Sequence, residues 1–472
     1  MTEPSIQPVV SRLPRRSFVG GVAAGAATVA AAATSATAAS GKIGVGFIGY
    51  GLIGKRHVLD FQAQPDVNIV AVSDCHAGRL DEAKALIGGN VRGYADFREL
   101  LDDRDVEAVV ISTPDHWHAL MAMLACAAGK DVYVEKPVTL FPREGAWMLA
   151  VATKHRRVVQ VGTQQRSGPH YAAARKLIQS GHIGKIVSVR MQSFRNIMPG
   201  FGQPPDSPPP AGFDWNMFLG PAPDRPYNPN RGLYHFRWFW DYSGGQMTNL
   251  GQHSLDIVDW FLGPLVLKSV ASFGGRFALA DNGETPDTQD AVFDFSGFTF
   301  PGFTVTWSHR EASQGESTGP GLVFYGTKGS LSISRSGYAI TPDRVIRPEN
   351  AVPQFTDAQP VGGVARQSEP METRLWTTAG SDRRGDSQGQ FVRHVRNFLD
   401  CVKTRHPPVS DLASGQRVAT YCHLANLSLR LGRSLQWDAR QETIRNDADA
   451  ALLLDRPYRA PWDAVLKAVL AS

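Results

Sequence analysis

Three glycines and an acid, set at fixed spacing behind an apolar run, are the first residues of this chain that could do chemistry. Residues 43–54 read I-G-V-G-F-I-G-Y-G-L-I-G, so Gly49, Gly51 and Gly54 fall where a strand must turn into a helix. Gly49 permits the tight turn, Gly51 lets the backbone approach a pyrophosphate, and Gly54 lets helix and strand pack closely. The free N–H groups at the start of that helix, around Leu52 and Ile53, would meet the negative charge. Twenty residues beyond Gly54, the run I-V-A-V-S-D ends in Asp74, the distance at which an acid reaches an adenosine ribose. A carboxylate there accepts from the 2′-hydroxyl and repels a 2′-phosphate, so NAD is expected, with NADP left open by Arg79 nearby. A second apolar strand, V-Y-V-E-K-P over 132–137, delivers Glu135 and Lys136 to a proline stop at the far end of the same domain.

The elements needed to position these residues alternate. Strands are expected at 43–48, 68–73, 107–112, 131–134 and 157–161, with helices from 52, at 78–87, 116–128 and 142–154. That alternation implies a parallel sheet with right-handed crossovers, whose strands at 108–114 and 132–137 end at the edge where a nucleotide must lie. The domain boundaries read as 42–162 for this dinucleotide-binding half and 163–462 for a second domain. In the latter, a helix at 169–179 leads to a strand at 186–194, then to a long Pro-rich loop over 199–231 and an aromatic block at 234–242. A helix at about 246–262 follows. Strands at 290–295, 302–309, 321–325 and 329–333, with the hairpin-like turn Gly326-Thr327-Lys328-Gly329, predict a mostly antiparallel open sheet. Residues 360–388 read as a surface loop, 388–404 and 411–432 as helices, and the tail to Trp462 as a lid or packing arm.

Residues 1–38 read as a leader. Pro14-Arg15-Arg16-Ser17-Phe18 precedes a weakly apolar Ala/Gly/Val stretch and a small-x-small site at Ala36-Thr37-Ala38, the pattern of a twin-arginine export signal. The expected location is therefore periplasmic or otherwise exported, with the twin-arginine machinery as a partner. No later run is long and apolar enough to span a membrane. The formal charge is +5, of which the leader carries Arg12, Arg15 and Arg16 against Glu3, too mild a balance to suggest nucleic acid. The four cysteines (Cys75, Cys126, Cys401, Cys422) lack metal-ligand spacing and are expected as free buried thiols. No metal site is expected.

Taken jointly, several motifs resemble the glucose–fructose oxidoreductase / inositol dehydrogenase / MocA (Gfo/Idh/MocA) family. They are the glycine run with Asp74, S-T-P-D-H-W-H over 112–118, E-K-P over 135–137, V-G-T-Q-Q-R-S over 161–167 and G-G-Q-M-T-N-L-G-Q-H-S-L-D over 244–256. The resemblance covers essentially 42–462. It implies a Rossmann domain followed by an α/β domain with a large open sheet, a homo-oligomer, and hydride transfer between nicotinamide and a sugar, polyol or glycoside carbinol. It places Ser112, Thr113, Pro114, His116, His118, Glu135 and Gln164 around the cofactor. It makes Lys136 the residue that contacts the reacting hydroxyl and holds or relays its proton, with His253 in the acid/base position. The family usually carries an Asp four residues before that His; here the residue is Asn249, which can hydrogen-bond a hydroxyl but cannot take its proton. Asp256, one turn on, is a candidate substitute carboxylate. Arg166, Arg237 and Trp238 are candidates for the sugar pocket. An exported protein has no pool of free NAD to draw on, so a tightly held, recycled nucleotide is expected. That would serve sugar oxidoreduction or a redox-neutral cleavage of glycosides by oxidation, elimination, hydration and reduction. A non-catalytic sugar-binding or scaffold protein is the alternative from another class.

Overall fold

In the computed structural model, residues 41–297, 302–315, 321–345, 375–383 and 385–472 are described. The leader assigned to 1–38 lies outside them, as does most of the loop assigned to 360–388.

The first half is a six-stranded parallel sheet. Its strands are β1 (Ile43–Ile48), β2 (Val67–Ser73), β3 (Arg92–Tyr94), β4 (Ala108–Ile111), β5 (Asp131–Val134) and β6 (Val159–Val161), in the order β3-β2-β1-β4-β5-β6. The order reverses beside β1, and a crevice opens there at the carboxyl ends of β1 and β4. The central strands β1, β4 and β5 are buried at every position, which is why they read as unbroken apolar runs rather than alternating ones. Strand β3 is three half-exposed residues and carries no such signal.

The second sheet has eleven strands: β7 (Ile186–Asn196), β8 (Leu265–Gly275), β9 (Thr288–Gly297), β10 (Phe303–Arg310), β11 (Ala312–Ser313), β12 (Gly321–Gly326), β13 (Gly329–Ser334), β14 (Gly337–Pro342), β15 (Gly380–Asp382), β16 (Leu435–Asp438) and β17 (Thr443–Ile444). Pairing is antiparallel except between β7 and β10. Burial alternates along β10, so one face is covered. The cover is the helices Pro169–Gln179, Gln252–Leu262 and Leu412–Leu431, packed on a core that includes Trp307, Phe293, Phe261 and Tyr421. Phe273 and Val292 stand exposed on the other face. The expected fold class, a Rossmann domain plus an α/β domain with a large, mostly antiparallel sheet, is the one found.

Two features position the site and were not expected. Residues 199–242 are not a bare loop. They contain the helix Trp215–Leu219 and a 3-10 turn at His235–Trp238, and they fold on their own aromatic cluster of Phe213, Trp215, Phe218, Tyr227, Phe236, Phe239 and Tyr242. The helix expected from 246 begins as a π-helical turn, Met247–Gly251, before the α-helix Gln252–Leu262. The C-terminal helix Trp462–Ala471 packs Trp462 against Trp117 and Phe97, as a packing arm would. All four cysteines are free, and three are buried.

Candidate active site

The glycine loop builds the nucleotide end of a cavity of about 360 Å³. Gly49 sits at φ +90°, and a Cβ there would lie 2.9 Å from the Ser112 backbone carbon. A Cβ on Gly54 would lie 2.3 Å from the Gly49 carbonyl oxygen, whereas one on Gly51 would meet just the Arg79 Nη1 at 3.6 Å. The first and third glycines therefore serve packing, and the space over the second is open. The helix Leu52–Gln62 starts there without a side-chain cap, leaving its first N–H groups for an anion. At the end of β2, Asp74 accepts from the Tyr50 N–H through Oδ2 and from the His76 N–H through Oδ1, each at 2.8 Å. Burial raises its carboxyl pKa, against the pull of those N–H groups. Its remaining lone pairs suit a ribose diol. Ser112 Oγ and Thr113 Oγ1, on the opposite wall, are buried without partners. A cradle a Cβ would fill, an uncapped helix and two orphan hydroxyls together fit a dinucleotide.

At the other end stand the groups that could move a proton. Lys136 Nζ donates to the Asn249 carbonyl oxygen at 2.8 Å and to Asn249 Oδ1 at 2.9 Å. Burial, opposed by Glu135, pushes its pKa down to about 8. The π-helical turn is what presents both Asn249 oxygens to one ammonium; such turns gather at functional sites. His253 lines the same wall, its Nδ1 buried without a partner. Burial and the nearby Lys136 hold its pKa well below the ordinary imidazole value. Glu135 lies behind Lys136: its Oε1 faces His57 Nε2 and accepts from Gln164 Nε2, each at 2.7 Å. Burial works against its ionisation, but His57 and Lys136 outweigh it and the carboxyl pKa is lowered.

Of the residues expected at the cofactor, Gly49, Gly51, Leu52, Ile53, Asp74, Ser112, Thr113, Pro114, His118, Glu135, Lys136 and Gln164 line the cavity, and Gly54 supports the loop beneath it. His116 does not line it. Its Nε2 bonds the Phe218 carbonyl at 2.9 Å, and burial lowers its pKa to about 3. His118 has both ring nitrogens against carbonyl oxygens, of Pro137 and Thr113. No group of three metal-ligating residues occurs among the described residues.

The sugar-pocket expectations divide. Arg237 lines the cavity. Arg166 and Asp256 do not: they form a buried bidentate pair, Nε–Oδ2 2.9 Å and Nη2–Oδ1 2.7 Å. Asp256 is thus committed to Arg166 and cannot act as the carboxylate behind His253. Trp238 is buried, its Nε1–H donating to Glu311 Oε2 at 2.7 Å. One turn of helix sends Arg237 into the cavity and Trp238 away from it.

Sequence reasoning missed Asp115, Arg335 and the aromatic cap. Asp115 is a buried cavity residue whose carboxylate accepts from the Ser243 hydroxyl; burial raises its pKa. Arg335 reaches the cavity from the turn between β13 and β14, a position only the folded chain reveals. The cap contributes Phe213, Met217, Phe218, Tyr234 and Phe236. It is tied to the chain just after Asp74: Asp214 N–H donates to the Cys75 carbonyl (2.9 Å) and Ala77 N–H to the Gly212 carbonyl (2.7 Å). The aromatic density of 213–242 was a legible signal for it.

Comparisons with known proteins agree with this geometry. A family model described as an oxidoreductase family, NAD-binding Rossmann fold, matches residues 43–163, and its companion, the C-terminal alpha/beta domain, matches 169–268 and 385–464. The chain is 27% identical to the uncharacterized oxidoreductase YrbE of Bacillus subtilis over 285 residues, 60% of this chain and 71% of that protein. It is 37% identical to inositol 2-dehydrogenase 1 of Saccharopolyspora erythraea over 122 residues, 26% of this chain and just over a third (36%) of that protein. Among solved structures, levoglucosan dehydrogenase in complex with NADH and levoglucosan superposes with a TM-score of 0.62 at 17% identity, covering 84% of this chain and 99% of that one. An oxidoreductase domain protein from Kribbella flavida gives 0.61 at 21%, with the same coverage. The two family models together match 43–163, 169–268 and 385–464, and the chain belongs to the Gfo/Idh/MocA family of NAD-binding oxidoreductases.

Proposed function

We propose that the protein oxidises a carbinol of a sugar, polyol or glycoside with a nucleotide that stays bound and is re-oxidised in place by passing its hydride to a second, carbonyl-bearing sugar. One observation carries the chemistry: Lys136 Nζ, its pKa lowered to about 8 by burial, stands in the same cavity as the glycine cradle. Oxidising a carbinol removes a hydride from carbon and a proton from oxygen. The nicotinamide, when bound, accepts the hydride. Lys136 accepts the hydroxyl proton at Nζ, and Asn249 holds that ammonium through two neutral oxygens. Retention is supported by the cap, whose hydrogen bonds to Cys75 and Ala77 fold an aromatic layer over the adenosine side of the cavity. The same reading takes residues 1–38 as a twin-arginine signal, a route that carries folded protein with its cofactor. It also pairs two copies through the exposed face of the second sheet.

A second reading, redox-neutral cleavage of a glycoside, draws on His253. An imidazole held neutral by burial is a base available beside Lys136. It could remove the proton that a neighbouring ketone has made acidic, so that the aglycone leaves before water adds and the ketone is reduced again.

The test is to purify exported protein with no nucleotide added, denature it, and quantify what is released. Near-stoichiometric NAD(H) is expected. Empty protein that also fails to bind added NAD or NADP would leave a non-catalytic scaffold as the better account. Aglycone release without net NADH, with deuterium from the carbinol carbon passing through the bound nucleotide, selects the second reading over the first.

A further inference from the structure

Two guanidinium groups reach the reacting end of the cavity, and among the described residues no carboxylate hydrogen-bonds or ion-pairs with either. Arg237 donates through Nη1 to the Tyr234 carbonyl at 2.9 Å and lies over the rings of Tyr234 and Phe236, at 4.9 and 4.6 Å. Arg335 makes no hydrogen bond or ion pair with any described residue, yet its charge is felt at both Lys136 and His253. The acids nearby are already engaged: Glu135 by His57 and Gln164, Asp115 by Ser243. The acceptors of Lys136 are neutral oxygens of Asn249, so that residue adds no negative charge either. Arg79 stands apart at the nucleotide end, beside Gly51 and Asp74, where a pyrophosphate would occupy it.

Lys136, Arg237 and Arg335 share this wall with the acids Asp115 and Glu135, so cations outnumber acids there. Holding guanidinium groups half-buried with no carboxylate in contact is costly, and a bound anion would offset that cost. We propose that the substrate is an anionic carbohydrate whose carboxylate or phosphate is held by Arg237 and Arg335 while its hydroxyl faces Lys136. A planar guanidinium fork matches either anion bidentately. Lys136 stays free for the reacting hydroxyl, because the substrate's charge is met by the two arginines. This assignment rests on the oxidoreductase reading for which group is the reacting one, but the charge preference can be measured without turnover.

The experiment titrates the full-length protein, loaded with NAD, with matched sets of a neutral aldose, its uronate and its 6-phosphate. Binding is followed by calorimetry and hydride transfer by nicotinamide absorbance. At least one anion should bind tenfold or more tighter than its neutral partner at low salt, and the advantage should shrink as salt rises. Which anion prevails distinguishes carboxylate from phosphate. Arg335→Gln should lower the anion-to-neutral affinity ratio at least tenfold, and Arg335→Lys should recover part of it; NAD binding by both variants shows that they are folded. Equal binding across each set, no binding by any anion, or an Arg335→Gln that weakens every ligand alike would overturn the proposal. Hydride transfer from neutral sugars alone would leave the oxidoreductase reading standing without this one. Selective anion binding with no hydride transfer to any ligand would do the reverse.

Discussion

The ionisation of Lys136 can be tested before any substrate is known. Its pKa is lowered from 10.5 to about 8, which corresponds to about 3 kcal/mol of preference for the neutral amine. At pH 7.5 about a quarter of Lys136 should then be uncharged, against roughly one in a thousand for an exposed lysine. Acetylation by a small anhydride, read lysine by lysine by mass spectrometry from pH 6 to 11 on nucleotide-free protein, reports that neutral fraction. The quantity to read is the midpoint, since a weaker base is also a weaker nucleophile. Lys136 should titrate near 8, well below the 10.5 of an ordinary lysine. Asn249→Asp places a carboxylate where Oδ1 now lies, 2.9 Å from Nζ, and should raise the midpoint by about one to three units. A wild-type midpoint within half a unit of 10.5 would refute the burial argument. An unchanged midpoint in Asn249→Asp would show that the two side chains are not in contact in solution.

Other outcomes follow from single contacts. Gly220 sits at φ +47°, with Trp117 Cζ2 only 2.1 Å from where a Cβ would be. Gly220→Ala should therefore cost about 3 kcal/mol or more and loosen the bound nucleotide; an unchanged thermal midpoint would mean that the cap does not pack on Trp117 of the helix Asp115–Ala127. Arg166→Met leaves Asp256 buried and unpaired, so a loss of about 3–5 kcal/mol is expected in denaturant unfolding. A folded variant of unaltered stability, with changed substrate affinity, would return Arg166 to the sugar pocket. Burial raises the Glu144 pKa from 4.5 to about 7, against donation from Tyr458 and two backbone N–H groups. The folded state thus keeps a proton that the unfolded chain loses above 4.5. Stability should fall by about 3 kcal/mol as pH rises from 4.5 to 7, and Glu144→Gln should flatten that dependence in urea melts across the window.

The first sheet was legible because strands buried on both faces must be apolar throughout and the glycines mark where the chain crosses itself. The nucleotide end was read from the glycine and acid spacing: Gly54 packs on the nearby Gly49 carbonyl and Asp74 accepts from the adjacent His76 N–H. The reacting end depends on long-range partners, and there the reading divided. Arg166 and Asp256 are 90 residues apart, and nothing in either local sequence says that they neutralise one another. Arg237 and Trp238 are adjacent, and only the phase of a one-turn helix decides which faces the cavity. His116 lies on the helix Asp115–Ala127, which is buried at nearly every position, so polarity alone was no guide to where its ring points. Arg335 comes from a hairpin turn, a place where an arginine is ordinarily solvated.

Asn249 is better understood through its neighbours than as the loss of an acid. A carboxylate at that position would hold Lys136 as an ammonium, and the proton would then have to move through a relay. Among the described residues no such relay is formed: Asp256 is bound to Arg166, and the Nδ1 of His253 has no partner there. An amide leaves Lys136 solvated by two dipoles and keeps its pKa near neutral, so the lysine can take the hydroxyl proton itself. His253, held neutral, is then free for a different proton. One base at the oxygen and another close by is what an oxidation followed by removal of the adjacent C–H proton requires. The same substitution withdraws a negative charge from a wall that already presents Arg237 and Arg335. On the proposed reading, Asn249 favours both a direct proton transfer to Lys136 and an anionic substrate, and Asn249→Asp should weaken both together.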